Sequence, residues 1–160
     1  MKGILHTVYL LIAIILSTTL FAAMDLFGVK PNMFIIYLVI AGFYVSQKEA
    51  IWLGMIYGLF YDIIVGHCLG LNGILFMFEC FFTVLFCENM IRRSNVVISA
   101  IAIVWWTILI EGINALFSPV NGILHILYVI GIEAVYNSVL MLIVYAPLNG
   151  FFRRLYDEKR

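Results

Sequence analysis

Residues 54–71, GMIYGLFYDIIVGHCLGL, decide how this chain is read. A carboxylate, Asp62, stands in a run of apolar and small residues, and Gly54 and Gly58 precede it at four-residue intervals. Residues four apart share one face of a helix. The glycines therefore form a row along which a second helix can approach closely, and Asp62 continues that row. This places Asp62 toward the interior of a helix bundle and away from lipid. Gly66 and Gly70 follow it, so the carboxylate lies just before the chain turns.

The rest of the chain has the same apolar character. Of its 160 residues 65% are hydrophobic and 11% charged, against about 25% charged in soluble domains. Mean hydropathy is +1.12. These values describe an integral membrane protein, a single transmembrane domain over residues 1–160. The net charge is zero, which gives no electrostatic reason to expect a nucleic-acid partner. Cys80 and Cys87 are seven residues apart on one expected helix, ~10 Å in rise and too far to bridge. With Cys68 they read as small apolar residues. His6, His67 and His125 lack metal-ligand spacing and read as interface residues. No Gly-rich phosphate loop, nucleophile triad or HExxH pattern occurs, so neither an enzyme nor a cofactor is expected.

A membrane-spanning helix needs ~20 apolar residues, because each adds ~1.5 Å toward ~30 Å of hydrocarbon. The expected helices are 4–24, 31–46, 50–65, 69–88, 96–117 and 123–152, followed by a cytoplasmic tail, 153–160. The first has a signal-peptide profile with Ala22 and Ala23 near its end, but its length and the spans after it favour retention. The second and third are short, divided by Gln47-Lys48-Glu49, and a re-entrant hairpin is the rival reading. Pro31 occupies a first-turn position of the second helix, and Pro147 is expected to kink or fray the end of the sixth. Six spans put Lys2, Lys48, Arg92, Arg93, Arg153, Arg154, Lys159 and Arg160 on one side and Lys30 on the other. The positive-inside rule then makes both termini cytoplasmic. The basic, aromatic stretch 151–160 reads as an inner-interface anchor, with contact to anionic lipid or a cytoplasmic partner as the sharper alternative.

Four acids fall inside the expected spans. At ~1.5 Å per residue Asp62 is ~18 Å from the inner end of its helix, Glu111 ~24 Å from the inner end of its own, and Glu79 and Glu133 each ~14 Å from an outer end. All four occupy roughly one layer in the outer half. Glu111 shares a face with Thr107, Asn114 and Ser118, Glu133 with Asn137, and Glu79 with Asn72 and Thr83. A charge at that depth costs ~2.5–3.5 kcal/mol on insertion scales, so the acids are expected to be protonated or solvated by water. The bland reading makes each a packing residue that fixes helix register. The sharper reading gathers Glu79, Glu111, Asn114, Glu133 and Asn137 into a polar cavity for a partner or ligand.

The chain resembles the MreD family of bacterial rod shape-determining proteins over essentially its whole length. The likeness rests on the Pro31-Asn32 start of the second helix, where the family usually has Pro-Asp, on Gly54 and the Gly58-Leu59-x-x-Asp62 core, and on the Gly66 to Gly70-Leu71 sequel. Asn32 departs from the family acid, although its amide can still cap a helix start. The resemblance implies an all-α six-helix bundle similar to the substrate-binding component of energy-coupling-factor transporters. It further implies a non-catalytic scaffold in the inner membrane that binds MreC and works with a RodA-type glycosyltransferase, a class B penicillin-binding protein and MreB filaments in lateral peptidoglycan synthesis. Pro31, Asn32, Gly54, Gly58, Asp62, Gly66 and Gly70 are its candidate structural or partner-binding residues. A substrate-binding membrane component of a vitamin or cation transporter is the alternative.

Overall fold

The computed structural model describes residues 2–15, 29–64, 69–90, 95–117 and 122–157. Among these residues the chain forms six helices: α1 (Lys2–Ile15), α2 (Met33–Gly42), α3 (Gln47–Ile64), α4 (Leu71–Met90), α5 (Val96–Phe117) and α6 (Ile123–Asp157). Helices α4, α5 and α6 are long and apolar enough to cross a membrane, and the protein is an all-helical, multi-pass membrane protein. The expected outer part of the first span, 16–24, lies outside the described residues, as do Gly66, His67, Cys68, Arg92, Arg93 and Ser118.

The core is built around α2. Its sequence, MFIIYLVIAG, is apolar on every side, and all ten residues are buried. A helix hydrophobic all round must be enclosed by others, and α2 packs against α3, α4, α5 and α6. At ~1.5 Å per residue it is ~15 Å long, half of a hydrocarbon core. It is a central post and not a full span.

The boundaries of α2 differ from the sequence reading for local reasons. Asn32, in an extended conformation, accepts the Phe34 N–H through its side chain at 3.1 Å and is the N-cap. Pro31 therefore precedes the cap instead of occupying the first turn. At the other end Phe43 closes the helix with its N–H on the Ile40 carbonyl at 3.2 Å. Ser46 and Glu49 then form a capping box: the Ser46 N–H donates to the Glu49 carboxylate at 3.1 Å and the Glu49 N–H to Ser46 Oγ at 3.4 Å. Two otherwise unpaired amides are satisfied reciprocally. The triplet Gln47-Lys48-Glu49, read above as a break, is thus the first turn of α3.

Helices α3 and α4 form a tight antiparallel hairpin along the glycine row. A Cβ added to Gly54 would lie 2.3 Å from the Phe76 carbonyl oxygen, and one added to Gly58 would lie 2.2 Å from that of Asn72. Only hydrogen fits there. Helices α5 and α6 form a second hairpin. Pro147 lies inside α6, which continues unbroken to Asp157, so the sixth helix and the start of the expected tail are one element. Contacts beyond the proline hold this end: Tyr44 donates to the Asn149 side chain, and Tyr156 meets His6 Nε2 at 3.1 Å.

Helix α1 docks through His6 and Tyr9. The Tyr9 ring stacks on Tyr37 at 4.3 Å and Tyr37 on Tyr57 at 4.8 Å between centroids. His6 Nδ1 bonds the Tyr37 hydroxyl, and the Tyr57 hydroxyl donates to the His6 carbonyl at 2.8 Å. His6 is therefore a buried tie among α1, α2, α3 and α6 and not an interface residue.

Candidate functional site

The question raised by the opening stretch is answered at the end of α3. Asp62 is buried, and its two carboxyl oxygens accept four hydrogen bonds: from Gly70 N–H at 2.8 Å, Asn72 N–H at 3.3 Å, Asn72 Nδ2 at 2.7 Å and Gly73 N–H at 3.3 Å. The first amides of a helix have no partner within it, and the helix dipole favours negative charge there. Asp62 thus supplies, from the neighbouring helix, the cap that α4 needs. Gly70 makes the turn with φ +94°, a conformation that side-chain-bearing residues rarely adopt.

Asn72 passes this order on to the second hairpin. Its Oδ1 accepts from Asn114 Nδ2 of α5 at 3.1 Å, so one amide side chain links the Asp62 cap to the end of α5. Beside it Tyr61 packs edge-on against Phe34, with centroids 5.4 Å apart, and lies within electrostatic reach of Asp62, Glu111 and Glu133. Asn114 and Asn137 stand one helical turn beyond Glu111 and Glu133, respectively, beside their carboxyls. Three of the four acids therefore converge at the Asp62 end of the bundle.

A second polar tie lies under the first. Asn137 of α6 accepts the Asn32 N–H at 2.7 Å and donates to Thr107 Oγ1 at 2.9 Å. The start of the half-length α2 is thereby fixed to α5 and α6 at bundle depth. Asn32, Thr107 and Asn137 are all buried. The sequence pattern placed Thr107 and Asn137 on polar stripes; their junction with the α2 cap depends on a half-helix whose length the pattern did not reveal.

Glu79 lies apart from the other three acids. It lies seven residues beyond Asn72 on α4, ~10 Å deeper, and is fully buried. Neither of its oxygens has a hydrogen-bond partner. Its neighbour Thr83 donates to the Glu79 backbone carbonyl at 2.7 Å, leaving the carboxyl untouched.

The arrangement can hold helices in register at one end of the bundle. Among the described residues no three His, Cys, Asp or Glu side chains gather into a metal-binding set. The Cys80 thiol meets the Leu38 carbonyl at 3.7 Å. Of the residues singled out in the sequence, Asp62, Gly70, Asn114, Glu111 and Glu133 come together with Tyr61; Asn32 and Asn137 meet beneath them; Gly54 and Gly58 line the α3–α4 contact; Gly66 lies outside the described residues. Tyr61, Asn72 and His6 carry contacts that the sequence reading left unassigned. Asn72 was legible as a helix-start residue ten positions after Asp62.

A family model described as rod shape-determining protein MreD matches residues 1–155. No curated protein and no solved structure matches the chain.

Proposed function

We propose that this chain, which belongs to the MreD family of rod shape-determining proteins, is a non-catalytic membrane scaffold of the cell-elongation machinery. Its partner on this reading is MreC, through which it helps couple a RodA-type glycosyltransferase and a class B penicillin-binding protein to MreB filaments. The observation that carries the reading is the family match over 1–155, nearly the whole chain. The described polar groups support it physically: Asp62, Asn72 and Asn137 spend their hydrogen bonds joining helices to one another. A rigid end built this way suits a docking surface, because binding to a preorganised site avoids the cost of ordering it.

Orientation follows from charge. Exposed Lys48, Arg153 and Arg154 lie on α3 and α6 at the end where Tyr44 meets Asn149. With the positive-inside rule this is the cytoplasmic face of the inner membrane, both termini lie on it, and the Asp62 end faces outward. The extracytoplasmic juxtamembrane part of MreC then meets the turn that Asp62 organises.

A second reading, the substrate-binding component of a vitamin or cation transporter, is favoured by the convergence of Asp62, Glu111 and Glu133 around Tyr61. Affinity purification of the tagged chain from its native membrane, with co-purifying proteins quantified by mass spectrometry, separates the two. Stoichiometric MreC is the expected result. Recovery of a transporter ATPase and its coupling subunit in place of MreC would overturn the scaffold.

A further inference from the structure

At the end of the bundle opposite Asp62, a lateral groove of about 620 Å³ opens between α4 and α5. This lies within the roughly 300–1,000 Å³ of small-ligand clefts. Its walls include Phe82 and Phe86 from α4, Ile98, Ala102 and Trp106 from α5, and Phe43 from the turn after α2. Thr83, also in the wall, spends its hydroxyl on the Glu79 carbonyl. Water entering such a site finds too few polar partners to be held. The flanking Phe82, Phe86, Ile101 and Trp105 are exposed along α4 and α5, so the groove opens sideways at the level of the hydrocarbon.

We propose that this groove seats one acyl chain of a membrane phospholipid, entering from the leaflet at the Lys48 end. The groove ends short of the Asp62 end, where the Asn114–Asn72 bond at 3.1 Å joins the same two helices. On α5 the wall runs from Ile98 to Trp106, ~12 Å along the axis. A transmembrane helix must cover ~30 Å of hydrocarbon, well beyond the length of this wall. It would also have to continue past the pinned Asn114–Asn72 junction to complete its span. An acyl chain is thin enough to lie in the groove, can end within it, and belongs to the solvent on which the groove opens.

The test uses the full chain reconstituted into vesicles of phosphatidylethanolamine and phosphatidylglycerol, doped with a phospholipid carrying a diazirine midway along one acyl chain. After irradiation, adducts are mapped by mass spectrometry. Residues 82–87 and 98–106 are expected to carry several-fold more label than open faces such as Val139, Leu142 and Ile143. Ala102→Trp, which fills the groove, removes that excess without lowering the melting temperature, and Ala102→Leu reduces it should the larger residue fail to fold. Equal labelling of groove and open faces overturns the proposal, as does an excess that survives in a folded Ala102→Trp. A photo-crosslinker at Ile101 in native membranes gives the other overturning result, capture of a second copy or of another polypeptide across the groove.

Discussion

Gly58 lies against the backbone of Asn72 so closely that an added Cβ would come within 2.2 Å of its carbonyl oxygen. Two carbon-bearing residues cannot share that space, and backbone cannot move aside as a flexible side chain can. Gly58→Ala and Gly54→Ala are therefore expected to force α3 and α4 apart at about 1–3 kcal/mol each, read as a lowered melting temperature in detergent. Gly131→Ala is the control. Nothing lies within 4 Å of a Cβ there, and the change relieves a mid-helix glycine of α6 by roughly 0.5–1 kcal/mol. Equal effects at Gly58 and Gly131 would show that the close approach is not what the row is for.

The same contrast marks what was legible in the sequence. The Gly54, Gly58, Asp62 row announces itself by four-residue spacing, and the row does face a neighbouring helix. The length of α2 was hidden, since the apolar run continues past Gly42 through Phe43, Tyr44 and Val45. The start of α3 was written in Ser46 and Glu49, but the charges of Lys48 and Glu49 suggested a loop. The depth of Glu79 relative to Asp62 depends on the turn at Gly70, whose cap contacts are long-range. Local chemistry thus revealed the helix faces, while the junctions between polar stripes needed the tertiary fold.

Asp62 closes the α3–α4 turn with four accepted hydrogen bonds. Asp62→Ala removes every acceptor and leaves amides of α4 unpaired, at about 1–3 kcal/mol. Asp62→Asn keeps one oxygen but turns an NH2 toward donors, and an intermediate loss is expected. Thermal melts of the three proteins give the ranking, and quantified MreC recovery shows whether binding follows it. An Asp62→Ala protein as stable as the parent would remove the capping role.

Glu79 is fully buried with neither oxygen hydrogen-bonded. An unsatisfied buried polar group costs about 1–3 kcal/mol, and replacing it with an apolar side chain of similar volume should return much of that. Glu79→Met is expected to raise the melting temperature and Glu79→Gln to leave it nearly unchanged. A clear loss of stability in Glu79→Met would mean that the carboxyl has a partner that the packing of this chain does not supply.

The start of α3 offers the sharpest test of how the short second helix ends. Ser46 and Glu49 bond each other's amides, and an N-cap of this type is worth about 0.5–2 kcal/mol. Ser46→Ala and Glu49→Ala should each lower stability by about 1 kcal/mol. Because each side chain satisfies the other's N–H, the double variant should lose less than the sum, a coupling on the order of 0.5 kcal/mol in a double-mutant cycle. Strict additivity would mean that Gln47-Lys48-Glu49 is held by something other than the capping box. The polar triplet would then be a connection between α2 and α3, as its charges first suggest, and the hairpin would begin nearer Ala50.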